Sequence, residues 1–484
     1  MASQIKEPAG FGVETNGINV IDEAERKGTP RTLFWPWCAA NISVLSISYG
    51  SFVLGFGVSL WQAAVAAVIG VVLSFLLCGF ISLAGKRGSA PTMVLSRAAF
   101  GVGGNAMPTV VSWLLLVGWE TVLTALATLA TSTVFTRLGW GGGTPTKVIA
   151  FLVVAALVVS AGVLGFDVIM RLQTLITVAT AVLTVGYVAL TASKIHWSAL
   201  TARPSGSAQA FLGALVLAMT ALGLGWVNTA ADYSRYLPRR ASSRGVVGWT
   251  TFGASVAPVL LVVFGVMLAG SDKSLNDKIA ADPIGALTSV LPTWYLVPFA
   301  VVAVLGLVGG AVLDIYSSGL ALLTLGLRMP RAAAAGVDGV LMMLGTIYVV
   351  FFSINFIGPF EGFLITLGVP ISAWCGVLLA DLLLRRHAYA DAELYDPRGR
   401  YGSVQWAAVG LVVLGTVLGW GLVTNTLAGW LTWQGYLLGS TGLGGKSGAW
   451  AYANLGVLAA LAVGFLGWLA LGRGPVRRQE AAVG

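Results

Sequence analysis

The sequence predicts an all-α integral membrane protein with twelve transmembrane helices. Ten of them form two five-helix repeats of inverted orientation, and the first helix of each repeat is interrupted. Three observations lead there. The chain of 484 residues is 57% hydrophobic and only 10% charged, whereas soluble domains carry about 25% charged residues. Twelve apolar runs, near 33–57, 61–84, 106–133, 148–165, 168–193, 209–230, 246–270, 293–326, 337–354, 357–384, 402–424 and 449–472, mostly exceed the roughly 20 residues that cross a hydrocarbon core. Five runs precede a polar linker at 195–208 and five follow it before 387. Because five is odd, the second set enters the membrane from the opposite face.

Charge placement sets the expected orientation. With the amino terminus inside, 21 of the 28 lysines and arginines fall in cytoplasmic segments and seven outside, the bias that orients membrane proteins. Both termini are therefore expected in the cytoplasm, with the chain in the plasma membrane. The net charge of +9 is read as a topology signal, not as a nucleic-acid surface. Cys38, Cys78 and Cys375 all lie in apolar runs, so neither a disulfide framework nor a metal cluster is expected. The two histidines, His196 and His387, sit in loops and cannot form a zinc-protease helix. The segment 439–447, GSTGLGGKS, has Ser440 where a phosphate-binding loop requires glycine. No enzyme constellation and no cofactor site emerge, and the sequence carries no signature of an oligomeric state.

In chain order, 1–32 is a polar tail with no apolar core of a secretory signal. The first repeat spans 33–194. Its first helix contains Pro36, Asn41, Ser43, Ser46, Ser48, Gly50, Gly55 and Gly57, a composition that predicts an unwound middle around 43–50. The basic segment 85–101 reads as an amphipathic connector at the membrane surface, anchored by Lys86, Arg87 and Arg97. The third span carries Trp113, Trp119 and Glu120. A carboxylate at that depth is costly and normally faces a cavity or a partner.

The second repeat covers 209–387 and opens on ALGLGWVNTAADYSRYLPRR, residues 221–240. Glycines, Trp226 and Asn228 within an apolar run again mark an interrupted span, which membranes tolerate only around a cavity or packed protein. Asp232 is expected to pair with Arg235, Arg239 or Arg240 as an anchor at the helix end. The eighth span places Gly306, Gly309 and Gly310 just before Asp314, again the composition of a cavity wall. Asn355, Pro359 and Glu361 mark an outside turn, 388–401 a cytoplasmic loop, 402–472 two peripheral helices and 473–484 a cytoplasmic tail.

Several stretches, taken in order, resemble the nucleobase-cation-symport-1 family, and within it the purine-cytosine permease branch. They are NGINVI with AERKG, WCAANISVL, GFGVSLWQA, SAPTMVLSRAAFG, VGWE, ADYSRYLP, IYSSGL and ADLLLRR, between about residues 16 and 396. The resemblance implies a ten-helix core of the leucine-transporter type and ion-coupled uptake of a nucleobase, cytosine or a purine, through the lipid bilayer. It implies that Trp119 stacks on the substrate ring and that Trp226 is the sixth-span aromatic, a small register shift selecting Gly223 instead. It also implies that Asp314 stands where relatives place a hydrogen-bonding asparagine. With Ser46 and Asn228 from the two breaks, these residues make the expected substrate site. The family's sodium site uses eighth-span hydroxyls where this chain has Gly309 and Gly310. Proton coupling through Glu120 and Asp314 is therefore expected in place of sodium coupling. A carrier of allantoin or hydantoins, or a channel, are the alternative readings.

Overall fold

The structure, a computed structural model, describes residues 12–353 and 356–481; Asn355 lies outside them. Among the described residues, nine helices are long and apolar enough to cross a membrane. They are Leu60–Gly88, Ala106–Leu138, Thr144–Leu164, Phe166–Lys194, Ala208–Ser234, Ser243–Ser271, Thr293–Thr324, Arg331–Phe352 and Ile357–Leu384. A bent pair, Pro30–Asn41 and Val44–Leu54, supplies the first span, and Leu455–Leu471 with its continuation Arg473–Ala481 supplies the last. The shorter apolar helix Trp406–Gly421 is the eleventh in chain order. The result is the expected twelve-helix, all-α architecture.

Helix ends follow from local chemistry. Ser59 and Gln62 form a capping box at the start of the second span, and Ser242 caps the seventh, each satisfying an amide that the helix leaves free. Gly165, at φ +94°, turns the fourth span directly into the fifth, a left-handed backbone that glycine adopts without penalty.

The inverted repeat is visible in the packing. The second span packs on the seventh, the third on the eighth and the fourth on the ninth. Each helix thus meets its own counterpart, as two units related by a two-fold axis in the membrane plane require.

Both first helices are broken. In the first span the break is confined to Ile42 and Ser43, and the two halves meet at 64°. It is shorter than the expected 43–50 because the Ser43 hydroxyl accepts from Leu45 N at 3.2 Å and restarts the helix at once. Gly50 serves close approach instead: a Cβ there would fall on the backbone of Gly265 and Val266 in the seventh span. The sixth span runs as Ala208–Ala221, then as two single turns, Gly223–Gly225 and Val227–Thr229, then as Ala230–Ser234. Its loosened backbone is met by the second span. Cys78 Sγ donates to Trp226 O at 3.8 Å, Ser82 Oγ to Ala230 O at 3.1 Å, and Ser234 Oγ returns a bond to Ser82 O at 2.7 Å.

Two local expectations need correction. Thr92–Phe100 is a helix, but every one of its residues is buried, so it lies inside the bundle and not on the membrane surface. Arg97 donates to Leu394 O and Thr324 O at 3.1 and 2.9 Å. Asp232 is structural, but its partners are the amide and hydroxyl of Thr92, at 2.7 and 2.8 Å, rather than arginines. A carboxylate at a helix N-terminus satisfies donors that the helix cannot. The arginines bind elsewhere: Arg239 pairs with Asp391 at 2.7 Å, and Arg235 reaches the amino-terminal segment.

That segment closes the face on which both termini lie. Glu14 Oε1 accepts from Arg235 Nη2 at 3.0 Å and from the hydroxyls of Tyr236 and Tyr316 at 2.5 and 3.1 Å. Its Oε2 accepts from Phe166 N at 2.8 Å and lies 3.4 Å from Arg331 Nε. Arg331 also donates to Gly162 O and Val163 O, both at 2.6 Å. One carboxylate thus ties the junction of the fourth and fifth spans to the sixth, eighth and ninth. Tyr395 bonds Ile18 O, and Arg400 reaches Gln479 O at 3.4 Å, which joins the two chain ends through one loop.

Gly265 sets the approach of the first and seventh spans, since a Cβ there would strike Ile47 O. Gly265→Ala should therefore destabilise the fold by about 1–3 kcal/mol, the usual cost of overpacking. Gly248→Ala in the same helix, where nothing lies within 4 Å, should be neutral. Thermal unfolding of the two purified variants in one detergent checks the contrast.

Candidate substrate site between two helix breaks

The two breaks meet at a cavity of about 40 Å³. Ala40, Asn41, Ser43, Ser46 and Tyr49 come from the first span, Trp119 and Leu123 from the third, Leu222 and Trp226 from the sixth, and Gly306 from the eighth. A Cβ on Gly306 would meet Ile42 O at 2.8 Å, so the absence of a side chain lets the eighth span press on the first-span break. Trp226 is 9% exposed and stands edge-on to Trp37, ring centroids 5.9 Å apart. Trp119 is half-buried and stands edge-on to Phe360 at 5.1 Å. Edge-to-face packing fixes each indole while leaving a ring face for a planar ligand.

The polar groups on the wall come from the first span. Asn41 Nδ2 donates to Trp37 O at 2.8 Å and Ser46 Oγ donates to Asn41 O at 3.2 Å. Both side chains are thereby oriented by the broken backbone itself.

Of the residues singled out in the sequence, Trp119, Trp226 and Ser46 share this cavity. Gly223, Asn228 and Asp314 do not line it. Gly223 faces the second span, where a Cβ would fall on Ser74 and the backbone of Phe75. The glycine beside the cavity tryptophan is Gly225, whose Cβ would lie 3.3 Å from Trp119 Nε1. Asn228 turns to the third span and donates to Ser112 Oγ at 2.8 Å. Asp314 and Glu120 are 1% and 0% exposed, and neither belongs to an ion pair among the described residues. Both Glu120 oxygens and Asp314 Oδ2 accept no hydrogen bond among the described residues. Sequence reasoning missed Asn41, Tyr49 and Leu123 as wall residues. Asn41 carried a usable signal, a polar residue at the end of a half-helix, whereas nothing local distinguishes Leu123 from its neighbours.

A larger cavity, of about 620 Å³, lies toward the face opposite the termini and is lined by Phe52, Leu126, Thr133, Asp282, Phe356 and Glu361 among others. Tyr49 and Phe52, 5.8 Å apart, contribute one to each cavity, so a thin aromatic layer separates them. Toward the terminal face the closure is much thicker, through Trp37, Tyr233, Tyr316 and the Glu14 network.

The profile of the family described as permease for cytosine/purines, uracil, thiamine, allantoin matches residues 20–439. The chain belongs to this permease family. YxlA of Bacillus subtilis, named as a candidate purine-cytosine permease, is 24% identical over 419 residues, covering 84% of this chain and 87% of that protein. Among solved structures, the nucleobase-cation-symport-1 transporter Mhp1, closed with bromovinylhydantoin bound, is similar at a TM-score of 0.68 and 19% identity, covering 97% of this chain and 100% of its own. Inward-facing Mhp1 is similar at a TM-score of 0.66 and 18% identity, with 98% of each chain covered. A Na⁺-coupled sialic acid symporter, outward-open with substrate bound, matches at 0.61 and 11% identity over 93% of this chain and 91% of its own. The permease therefore has the leucine-transporter-type fold, with its interrupted first and sixth helices. It is a multi-pass membrane protein and a transporter, not an enzyme.

The two glycines of the sixth-span break should separate experimentally. Gly225→Ala crowds the Trp119 indole and should weaken binding of a planar ligand, read as a smaller ligand-induced thermal shift, while apo stability stays near the parent's. Gly223→Ala strikes the second-span backbone and should instead lower the apo melting temperature.

Proposed function

We propose that this permease imports a nucleobase, cytosine or a purine, across the plasma membrane in symport with protons, both termini facing the cytoplasm. The observation that carries this reading is the small cavity where two broken helices meet, with two indoles and first-span polar groups on its wall. Indoles offer ring faces to a flat heterocycle, while Asn41 and Ser46 offer hydrogen bonds to its edge. At about 40 Å³ the cavity has room for a few waters only, so the surrounding helices must part to admit a base. A small pocket at the meeting of two helix breaks suits alternating access better than a channel.

Coupling to protons is supported by what surrounds Gly309. The eighth span offers no hydroxyl at Gly309 or Gly310. Gln173 of the fifth span instead donates its amide to Gly309 O at 2.8 Å, and a Cβ on Gly309 would lie 2.7 Å from Ala39 O. Backbone packing and an amide donor occupy ground where hard oxygen ligands are needed for a small cation. Glu120 and Asp314, deep in the bundle and paired with no arginine or lysine among the described residues, can carry a proton instead. A second reading, transport of a hydantoin or allantoin, draws on the likeness to Mhp1, which holds a hydantoin.

Two measurements test the reading. Among cytosine, adenine, hypoxanthine, allantoin and benzylhydantoin, a nucleobase should give the largest thermal shift of the purified protein, because ligand binding stabilises by mass action. In proteoliposomes, uptake of that base should run on an inward proton gradient without sodium and stop on addition of a protonophore. Uptake that needs sodium and survives the protonophore refutes proton coupling, and a larger shift with hydantoin replaces the nucleobase reading.

A further inference from the structure

Asp338 in the ninth span is a buried carboxylate to which the substrate site gives no task. It is 0% exposed. Its Oδ1 accepts from Trp113 Nε1 at 2.8 Å, and its Oδ2 accepts no hydrogen bond among the described residues.

The helix register places it. Trp113 bonds Asp338, and Thr346 Oγ1 donates to Thr121 O at 3.3 Å, so the third and ninth spans lie side by side in the same direction. Glu120, seven residues beyond Trp113, therefore has its Cα about 10 Å deeper from the terminal face than that of Trp113. Its side chain leans back toward Trp113, as helical side chains do. The eighth span runs the other way. A Cβ on Gly310 would meet Leu123 and one on Gly319 would meet Ala335, so Asp314 stands at the level of Glu120 and Ser318 near that of Asp338. Arg331, seven residues before Asp338, lies about 10 Å nearer the terminal face, where it pairs with Glu14. The acids thus form a ladder from the depth of the cavity to the closed mouth, with Asp338 on the middle rung.

The ladder stands apart from the chain's other charges. The acidic neighbours are Glu120 on the third span, one rung deeper than Asp338, and Asp314 on the eighth at the level of Glu120. The fourth span offers Val159 beside Gly339. Arg331, on the same helix as Asp338, directs its guanidinium to Gly162 O, Val163 O and Glu14. Among the described residues no lysine, arginine or histidine pairs with any of the three carboxylates, and no group of side chains suits a metal ion. The Glu120 carboxylate is fully buried with neither oxygen partnered among the described residues, on a span that packs against both the eighth and the ninth.

We propose that Asp338 is the exit station for the coupling proton on the terminal face. The inference rests on the proton-symport reading and adds a residue to it. The O–H bond of protonated Glu120 or Asp314 breaks, the proton passes by way of the Ser318 hydroxyl or water, and an O–H bond forms on the Asp338 carboxylate. Asp338 then releases the proton to cytoplasmic water when the Glu14 mouth opens. One proton moves inward per cycle and no other reactant is needed. Trp113 is a positioning residue that holds the Asp338 carboxylate in line.

The test is Asp338→Asn in proteoliposomes, since asparagine keeps an acceptor for Trp113 and removes the proton site. Counterflow of labelled cytosine, or of whichever ring gives the largest thermal shift, needs no net proton movement and should persist. Gradient-driven uptake and substrate-induced acidification of the lumen should both fall at least about tenfold, in keeping with loss of a positioned proton carrier. Equal loss of counterflow and driven uptake would make Asp338 structural, and unchanged driven uptake would remove it from the proton route. If the asparagine variant does not fold, Asp338→Glu and Trp113→Phe decide. Retained acidification in the first, with a displaced pH profile of driven uptake in the second, supports the station; a parental pH profile in the second overturns it. Absence of counterflow in the parent protein would refute the transport reading itself, separately from the role of Asp338.

Discussion

Inside a bilayer no water is available for a loose backbone amide or carbonyl, and each one left unpaired costs several kcal/mol. The interruptions of the first and sixth spans therefore exist only because other parts of the fold meet them. Ser43 caps the restarted first helix and Ser46 reaches Asn41 O. Cys78 and Ser82 of the second span reach the carbonyls of the sixth. Glycines at 223 and 306 allow neighbouring backbones to come close enough for this. The cavity is a by-product of the same arrangement, since the places where helical pairing stops are the places where side chains from four spans converge.

The closure is asymmetric. Toward the face opposite the termini, Tyr49 and Phe52 form a thin partition between the central cavity and the larger one. Toward the terminal face, Trp37, Tyr233 and Tyr316 are backed by a buried ionic knot around Glu14, with Arg235 0% exposed. Parting an aromatic layer exposes modest apolar area. Opening the other side must separate the Glu14 carboxylate from Arg235, Arg331 and two tyrosine hydroxyls, bonds that water then has to replace. The closure on the terminal face is thus the more heavily bonded of the two.

Much of this was legible residue by residue. Twelve apolar runs, the broken character of two spans, the unusual depth of Glu120 and Asp314, and the family resemblance all come from composition and local pattern. Each run's transfer energy sums over its own residues, and each glycine or asparagine weakens the helix in which it sits. Asp232 shows where local reading stops. Its arginine neighbours in sequence suggested an ion pair, but a helix N-terminus from a distant segment supplies the donors. Thr92–Phe100 carries the charge pattern of a surface helix, yet its arginine finds two backbone carbonyls inside the bundle.

By itself the sequence determined the number of spans, their broken members, the family and the depth of the buried acids. The tertiary structure alone decided which face of each helix meets which neighbour. It turned Gly223 and Asn228 away from the cavity, brought Asn41, Tyr49 and Leu123 onto its wall, and stood Asp338 between Glu120 and the Glu14 knot. The physical reason is that hydrophobic length and helix propensity are local and additive. The facing of one helix on another is set by close packing of partners more than a hundred residues apart.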